Sequence, residues 1–141
     1  MENCDYYVAR AAQLKGQGYN CAQSVACAFV DEVPLDSRQL FQITEGFGGG
    51  MGGNDGTCGA ISGAVVILSL LTSGADVLNP TKLETYRRVK QVFDLFVHAT
   101  GSSICRELQG LDGGNVLASC DRCVALATQF TYEELTAQVS K

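Results

Sequence analysis

The residues of this 141-residue chain that could do chemistry are its seven cysteines. Thiolates ligate soft metals and carry out redox reactions, although a free cysteine also serves as a small buried hydrophobe. The N-terminus, MENCDYYVAR, has no basic region followed by an apolar core, so we expect no signal peptide and a cytoplasmic protein. Disulfide staples are rare in that compartment, which favours metal binding or redox chemistry as the reason for so many cysteines.

Three of the cysteines, Cys21, Cys58 and Cys105, fall in the first turn of three different predicted helices. A helix N-terminus carries partial positive charge and free amides, so it favours thiolate over thiol. Cys120 and Cys123 form the only Cys-x-x-Cys pair and lie on one face of a further predicted helix. Zinc ribbons need two such pairs and a thioredoxin motif follows a strand, so spacing alone selects neither.

The other cysteines and the only histidine are expected to stand outside any functional group. Cys4 lies near the chain end, and Cys27 lies six residues after Cys21 on a different face of the same helix, where core filling explains it. His98 lies near the end of a predicted helix. A lone histidine there is more often a packing or capping residue than a metal ligand.

Residues 46–63, GFGGGMGGNDGTCGAISG, contain nine glycines in eighteen positions. Such a run predicts a loop whose backbone takes positive φ or passes close to another group. Phe47 and Met51 favour an ordered loop over a flexible linker. The letters G-x-G-x-x-G occur within it, but no strand precedes them, more loop follows, and no lysine is present for a phosphate-binding loop.

The hydrophobic pattern predicts helices throughout and alternates nowhere as a strand would. In the first half of the chain we expect helices over 3–15, after the Asn20/Gln23 capping box, from Asp36 through Ile43, and over 57–73 with Thr57 as the N-cap. The next helix starts at Asn79-Pro80 and has Leu83, Tyr86 and Phe96 in its apolar stripe, and a helical turn capped by Ser102 or Ser103 follows. The last two expected helices are one with Val116 and Leu117 that carries Cys120, and one from Thr131 with Glu134 as its capping partner. The 57–73 helix is apolar nearly all round, which predicts a central position. We therefore expect an all-α fold, a compact single-domain bundle of about six or seven helices with a glycine-rich loop, spanning 1–141.

The charge balance limits the partners. With ten Lys and Arg against fifteen Asp and Glu, the chain has a formal net charge of −5. A nucleic-acid binder or an anionic-membrane binder would need a basic surface, so neither partner is expected. The most apolar stretch, AISGAVVILSLL, is too short to span a bilayer, so no membrane insertion is expected. A homodimer is compatible with the sequence, but no feature selects an oligomeric state.

Four motifs, taken in order, carry a family resemblance. GYNCAQSV, GFGGGMGGNDGTCGAISGA, GSSICRELQG and CDRCV resemble the C_GCAxxG_C_C family of redox-active proteins over nearly the whole chain. The resemblance places the family's four shared cysteines at Cys21, Cys58, Cys105 and Cys120, with Cys123 competing for the last place, and implies that they converge near the glycine loop. A similar domain occurs in split-Soret cytochromes c, which carry haems and an iron-sulfur centre. Haem is not expected here, because the chain lacks Cys-x-x-Cys-His.

The resemblance implies three candidate functions. The first is electron transfer through an iron-sulfur centre ligated by the four matched cysteines, with loop amides from Gly50, Gly52 and Gly59 directed at the sulfurs. The second is metal-free thiol-disulfide chemistry, in which two of the four cysteines cycle. The third is a zinc or other soft-metal site linked to transport. The sequence has no acid-base pair, so it leaves open whether the chain is an oxidoreductase or a carrier that serves a redox partner protein.

Overall fold

The computed structural model describes residues 1–137, which contain seven α-helices and no strand. The helices are α1 (Cys4–Gly16), α2 (Cys21–Ala28), α3 (Ser37–Thr44), α4 (Gly59–Thr72), α5 (Lys82–Thr100), α6 (Cys105–Gln109) and α7 (Cys120–Thr136). A further single turn, Gly48–Met51, belongs to the glycine loop, because two of its glycines have left-handed backbone angles. The predicted all-α fold class is confirmed.

Helix α4 occupies the centre, as its all-round apolarity predicts. It packs against α2, α5 and α7, and its buried residues include Ile61, Ile67 and Leu68. Its N-cap is Cys58, one residue later than the predicted cap Thr57. Although α4 is strongly apolar, no helix within residues 1–137 combines the length and hydropathy needed to cross a membrane.

Two glycines of α4 let it approach α2 closely. A Cβ added at Gly63 would lie 2.4 Å from the carbonyl oxygen of Ala22. One added at Gly59 would lie 3.0 Å from the carbonyl oxygen of Phe47 and 3.3 Å from the amide nitrogen of Ala22. Because Ala22 directly follows Cys21, this approach brings the start of α2 beside the start of α4.

The prediction that a separate helix begins at Thr131 was wrong, because α7 runs without interruption from Cys120 to Thr136. The Thr131 side chain is buried inside the helix, and its hydroxyl donates to the Ala127 carbonyl at 2.7 Å. Glu134, the predicted capping partner, instead lies against α5, with its carboxylate 3.7 Å from Arg88. Threonine occurs both as an N-cap and inside helices, where its hydroxyl bonds to a carbonyl of the preceding turn. The local sequence pattern therefore does not distinguish the two positions.

The start of α5 also differs from the prediction. The helix begins at Lys82, while the Asn79 side chain donates to the Asp76 carboxylate at 2.7 Å. Leu83 and Tyr86, expected in the apolar stripe, are 77% and 61% exposed. The buried side chains of α5 begin at Val92, so the first turns of the helix lie outside the core.

We predict that Gly63→Ala lowers the free energy of unfolding by about 1–3 kcal/mol, as overpacking does in a close-packed interior. The added methyl would press on the Ala22 backbone, and this cost exceeds the helix-propensity gain of roughly 1 kcal/mol. Urea denaturation followed by circular dichroism measures the change.

Gly16→Ala is the matched control, because Gly16 ends α1 with nothing within 4 Å of an added Cβ. Its stability should be unchanged or slightly raised. Equal effects of the two substitutions would contradict the assigned role of Gly63.

Candidate functional site

Four cysteines, Cys21, Cys58, Cys105 and Cys120, line a single cavity of about 410 Å³. The remaining lining residues are Lys15, Asn20, Gly49, Asn54, Gly59, Gln109 and Leu111. Cys58 and Cys105 are buried, whereas Cys21 and Cys120 are half-buried. The cavity therefore collects thiols from four separate stretches of the chain beside the glycine loop.

Each of these four thiols stands at the start of a helix. Cys21, Cys105 and Cys120 are the first residues of α2, α6 and α7, and Cys58 is the N-cap of α4. Helix starts carry partial positive charge, so the four place a favourable potential for negative charge around one cavity. The sequence predicted this position for three of the cysteines.

The position of Cys120 at the start of α7 depends on Ser119. The sequence placed Cys120 inside a helix that included Val116 and Leu117, and this was wrong, because both residues lie exposed in the preceding loop. The Ser119 hydroxyl accepts from the Arg122 amide at 3.1 Å, so the helix begins at Cys120. Serine at an N-cap with an acidic residue in the first turn is the local signal that would have found it.

The predicted capping box holds Cys21 in place. The Asn20 side chain accepts from the Gln23 amide at 2.9 Å, and the Gln23 side chain accepts from the Asn20 amide at 3.0 Å. The side-chain amide nitrogen of Asn20 (Nδ2) also donates to the Glu45 carbonyl at 3.0 Å. This bond ties the start of α2 to the segment that leads into the glycine loop.

Two antiparallel segments bring Cys58 and Cys105 together. The Cys58 amide donates to the Ser103 carbonyl at 2.7 Å, and the Cys105 amide donates to the Gly56 carbonyl at 3.0 Å. Thr57 and Ile104 form the bridge pair between these bonds. The loop before α4 is thereby locked to the loop before α6, with one cysteine at each end of the pairing.

The three glycines expected to direct amides at a cofactor differ in placement. Gly59 lines the cavity. Gly50, with φ +58°, packs on Cys105, since an added Cβ would lie 2.4 Å from the Cys105 Cβ. The Gly52 amide donates to the Gly48 carbonyl at 3.0 Å. Close packing therefore explains Gly50 and a φ of +83° explains Gly52, while amide donation to a bound group stays a prediction.

Burial and the neighbouring sulfurs oppose ionisation of two cavity thiols. The pKa of Cys21 is raised to about 12, mainly by burial and then by the charges of Cys120 and Cys58, against a lowering by Lys15. Burial also raises the pKa of Cys105, again with contributions from Cys58 and Cys120. The four sulfurs are therefore electrostatic neighbours, and a bound cation would relieve the cost of ionising them together.

Cys58 is the exception, because its pKa is lowered to about 7. The main cause is a hydrogen bond from the Cys123 thiol, which outweighs the opposing effect of burial. The amides of Ala60 and Ile61, in the first turn of α4, lower the pKa further. Cys123 is shifted in the opposite direction, since its pKa is raised by that hydrogen bond and by burial.

Cys120 and Cys123 were the two candidates for the fourth family cysteine. Cys120 lines the cavity and Cys123 does not. Cys123 is fully buried in the hydrophobic core. Cys4 and Cys27 lie outside the cavity lining, and His98 is exposed on α5. Sequence reasoning missed the contact between Cys123 and Cys58, which joins distant parts of the chain and has no local signal.

Residues 19–134 match the family described as "Putative redox-active protein (C_GCAxxG_C_C)". The chain belongs to the C_GCAxxG_C_C family. The matched segment contains all four cavity cysteines and Cys123. An uncharacterized protein of Archaeoglobus fulgidus is 26% identical over 149 aligned residues, which cover 98% of this chain and 99% of that protein. No solved structure matches the chain.

We predict that the Cys58 thiol of the reduced, metal-free protein reacts with iodoacetamide with a pH midpoint of about 7. The thiolate is the reactive form, so the rate should rise as pH increases through the pKa. In Cys123→Ala the hydrogen-bond donor is absent, and the midpoint should move up toward the ordinary value of 9.0. Mass spectrometry of the peptide that contains Cys58 measures the rate.

Cys27→Ala is the control, because Cys27 is buried in α2 and lies outside the cavity. Its Cys58 midpoint should match that of the unmodified protein. A midpoint that stays constant in Cys123→Ala would show that Cys123 does not lower the Cys58 pKa.

Proposed function

We propose that this member of the C_GCAxxG_C_C family transfers electrons through an iron-sulfur cluster ligated by Cys21, Cys58, Cys105 and Cys120. The observation that carries the proposal is the set of four thiols, each at a helix start, around one cavity of about 410 Å³. Cysteine thiolates are the usual ligands of such clusters, and four are the usual number. Membership of a redox-active family agrees with this role.

Four cysteine donors suit an iron-sulfur cluster, and the same four donors suit a single zinc ion, which binds its sulfurs at about 2.3 Å. Within residues 1–137, no group of three or more His, Cys, Asp or Glu side chains is arranged as a site for one metal ion. Iron and sulfide analysis therefore distinguishes the two cofactors.

The surroundings suit a negatively charged group. Four thiolates carry more negative charge than a small iron-sulfur core offsets, so the site must stabilise an anion. The four helix starts supply positive potential, each worth typically 0.3–1 kcal/mol for a full charge, and more where the site is partly buried. Lys15 adds a cationic side chain to the cavity lining.

The protein's own hydrogen bonds would tune the potential, while the bound cluster would supply one-electron chemistry. Donors to a ligating sulfur stabilise the more negative, reduced state. The amides of Ala60 and Ile61, which lower the pKa of Cys58, would act on its sulfur in this way. The protonated Cys105 thiol donates to the Asn54 side-chain oxygen at 3.5 Å, and this bond would be lost when Cys105 becomes a thiolate ligand.

The partner in this proposal is a cytoplasmic redox protein that docks over the cavity. Leu111 lines the cavity and is 49% exposed, so it gives the partner an apolar contact close to the cysteines. Such a transient contact must bring the partner's redox centre close to the cluster. Neither nucleic acid nor membrane insertion has a part in the proposal.

We predict that protein purified without oxygen contains iron and acid-labile sulfide and absorbs broadly in the visible range, with bleaching on reduction. Cys58→Ser should lose most of the iron and sulfide, because Cys58 lies at the junction of the glycine loop and α4 and lines the same cavity as the other three cysteines. Metal analysis, sulfide analysis and visible spectroscopy measure the outcome.

Cys4→Ser is the matched control, since Cys4 lies outside the cavity and should leave iron content unchanged. Zinc without sulfide would overturn the proposal in favour of a structural or sensing metal site. A metal-free protein that gains two free thiols on mild reduction would overturn it in favour of thiol-disulfide chemistry.

A further inference from the structure

A separate cavity of about 320 Å³ lies between α4, α5 and the glycine loop, and we call it the α4–α5 cavity. Its lining contains no charged side chain and no cysteine. The apolar members of the lining are Phe47, Met51, Ile61, Val65, Val66 and Phe93. Small-molecule sites typically enclose about 300–1,000 Å³ and combine apolar walls with a few polar groups. The α4–α5 cavity therefore has the size and the lining of a site for one small neutral molecule.

The polar group that faces this cavity from α4 is the hydroxyl of Ser62. Ser62 is 8% exposed, and it lies three and four residues before Val65 and Val66, so the three side chains share one face of the helix. Within residues 1–137 its hydroxyl has no hydrogen-bond partner, whereas the buried Thr128 hydroxyl donates to the Val124 carbonyl at 2.7 Å. The Ser62 hydroxyl is thus left for a group that enters the cavity.

This hydroxyl is also within reach of a ligand. In the part of the chain that the structure describes, the one side-chain nitrogen or oxygen that is both closed off and without a hydrogen bond is Nε of Arg88. Because the Ser62 oxygen has no partner and is not closed off in this way, it is open to the cavity. Its few per cent of exposure therefore lie where a bound molecule would contact it.

We propose that the α4–α5 cavity binds a small aromatic carbonyl compound, whose ring packs between the apolar walls and whose carbonyl oxygen accepts a hydrogen bond from Ser62. This inference goes beyond electron transfer through a cluster. It uses none of the four cysteines, so it stands independently of the proposed function.

The lining supports each part of this chemical class. A neutral ligand is favoured because no charged side chain is present to pair with an ion. An aromatic ring suits the walls, since Phe47 and Phe93 offer ring contacts and the Met51 thioether is polarizable and adaptable. A carbonyl oxygen is an acceptor with two lone pairs, so it can accept from Ser62 and from the Thr57 hydroxyl, which also lines the cavity.

The start of α4 separates this cavity from the one that the four thiols line. Thr57 and Ile61 line the α4–α5 cavity, whereas Cys58 and Gly59, which lie between them in the sequence, line the other. A molecule in the α4–α5 cavity would therefore contact the turn that carries Cys58 without occupying the cysteine cavity.

The test is isothermal titration calorimetry on full-length protein purified without oxygen, with iron measured in the same sample. The probes are acetophenone and ethylbenzene, which differ in having a carbonyl or a methylene group beside the ring. Acetophenone should bind at one site per chain. Ser62→Ala should weaken acetophenone binding roughly three- to tenfold, as loss of one hydrogen bond does, and leave ethylbenzene binding unchanged.

Ser69→Ala is the matched control, because Ser69 lies in the same helix but lines neither of the two cavities. It should bind both probes as the unmodified protein does. Val65→Phe should fill the cavity and abolish binding of both probes, and circular dichroism checks that each variant is folded. Val66→Phe replaces it if Val65→Phe does not fold.

Four results would overturn the inference. The first is no saturable binding of acetophenone to the unmodified protein. The second is binding that the phenylalanine variant leaves intact, which would place the probe elsewhere. The third is equal weakening of both probes by Ser62→Ala, which would remove the hydrogen bond to the carbonyl. The fourth is a dimer that the phenylalanine variant dissociates, measured by sedimentation, which would show that a second copy of the chain covers the cavity.

The outcome for the cluster is read separately. Iron-free protein that binds acetophenone contradicts the cluster proposal and leaves this inference intact. Iron-loaded protein that does not bind the probe contradicts this inference and leaves the cluster proposal intact.

Discussion

The arrangement of the site depends on the close contact between the backbones of α4 and α2. At Gly63 and Gly59 there is no space for a side chain, because the chain around Ala22 fills it. This contact sets the distance between two helix starts, and those starts carry Cys58 and Cys21. The short antiparallel pairing that adds Cys105, and the packing of α7 on α2 and α4 that adds Cys120, build on the same pair of helices.

Two opposing electrostatic effects meet at the cavity. Burial and crowding disfavour thiolates, while helix starts and amide donors favour them. At Cys58 the donors prevail, whereas at Cys21 and Cys105 burial prevails. The site combines one thiol with a lowered pKa and neighbouring thiols with raised pKa values. A positively charged group would stabilise all of their thiolates, and this is why the thiol pattern suits a metal cofactor.

The start of α7 carries two cysteines, of which only Cys120 lines the cavity. Cys120 and Cys123 lie one helical turn apart, and this offset of one turn separates a cavity thiol from a core thiol.

The sequence by itself determined those features that depend on hydrogen bonds between near neighbours and on hydrophobic periodicity. The capping box at Asn20 and the central position of α4 follow from residues a few positions apart, and so does the placement of Cys21 and Cys105 at helix starts. Family motifs identified the four cavity cysteines, but their chemistry is not written in local spacing.

Only the tertiary structure decided the features that join distant segments. The exposure of Leu83 and Tyr86 depends on where the core ends, and the continuity of α7 through Thr131 depends on burial of that residue. The burial of Cys123 in the core depends on how α7 packs against α4. Helix formation is governed by neighbours within one or two turns, whereas these contacts arise from the packing of whole helices, which local patterns do not encode.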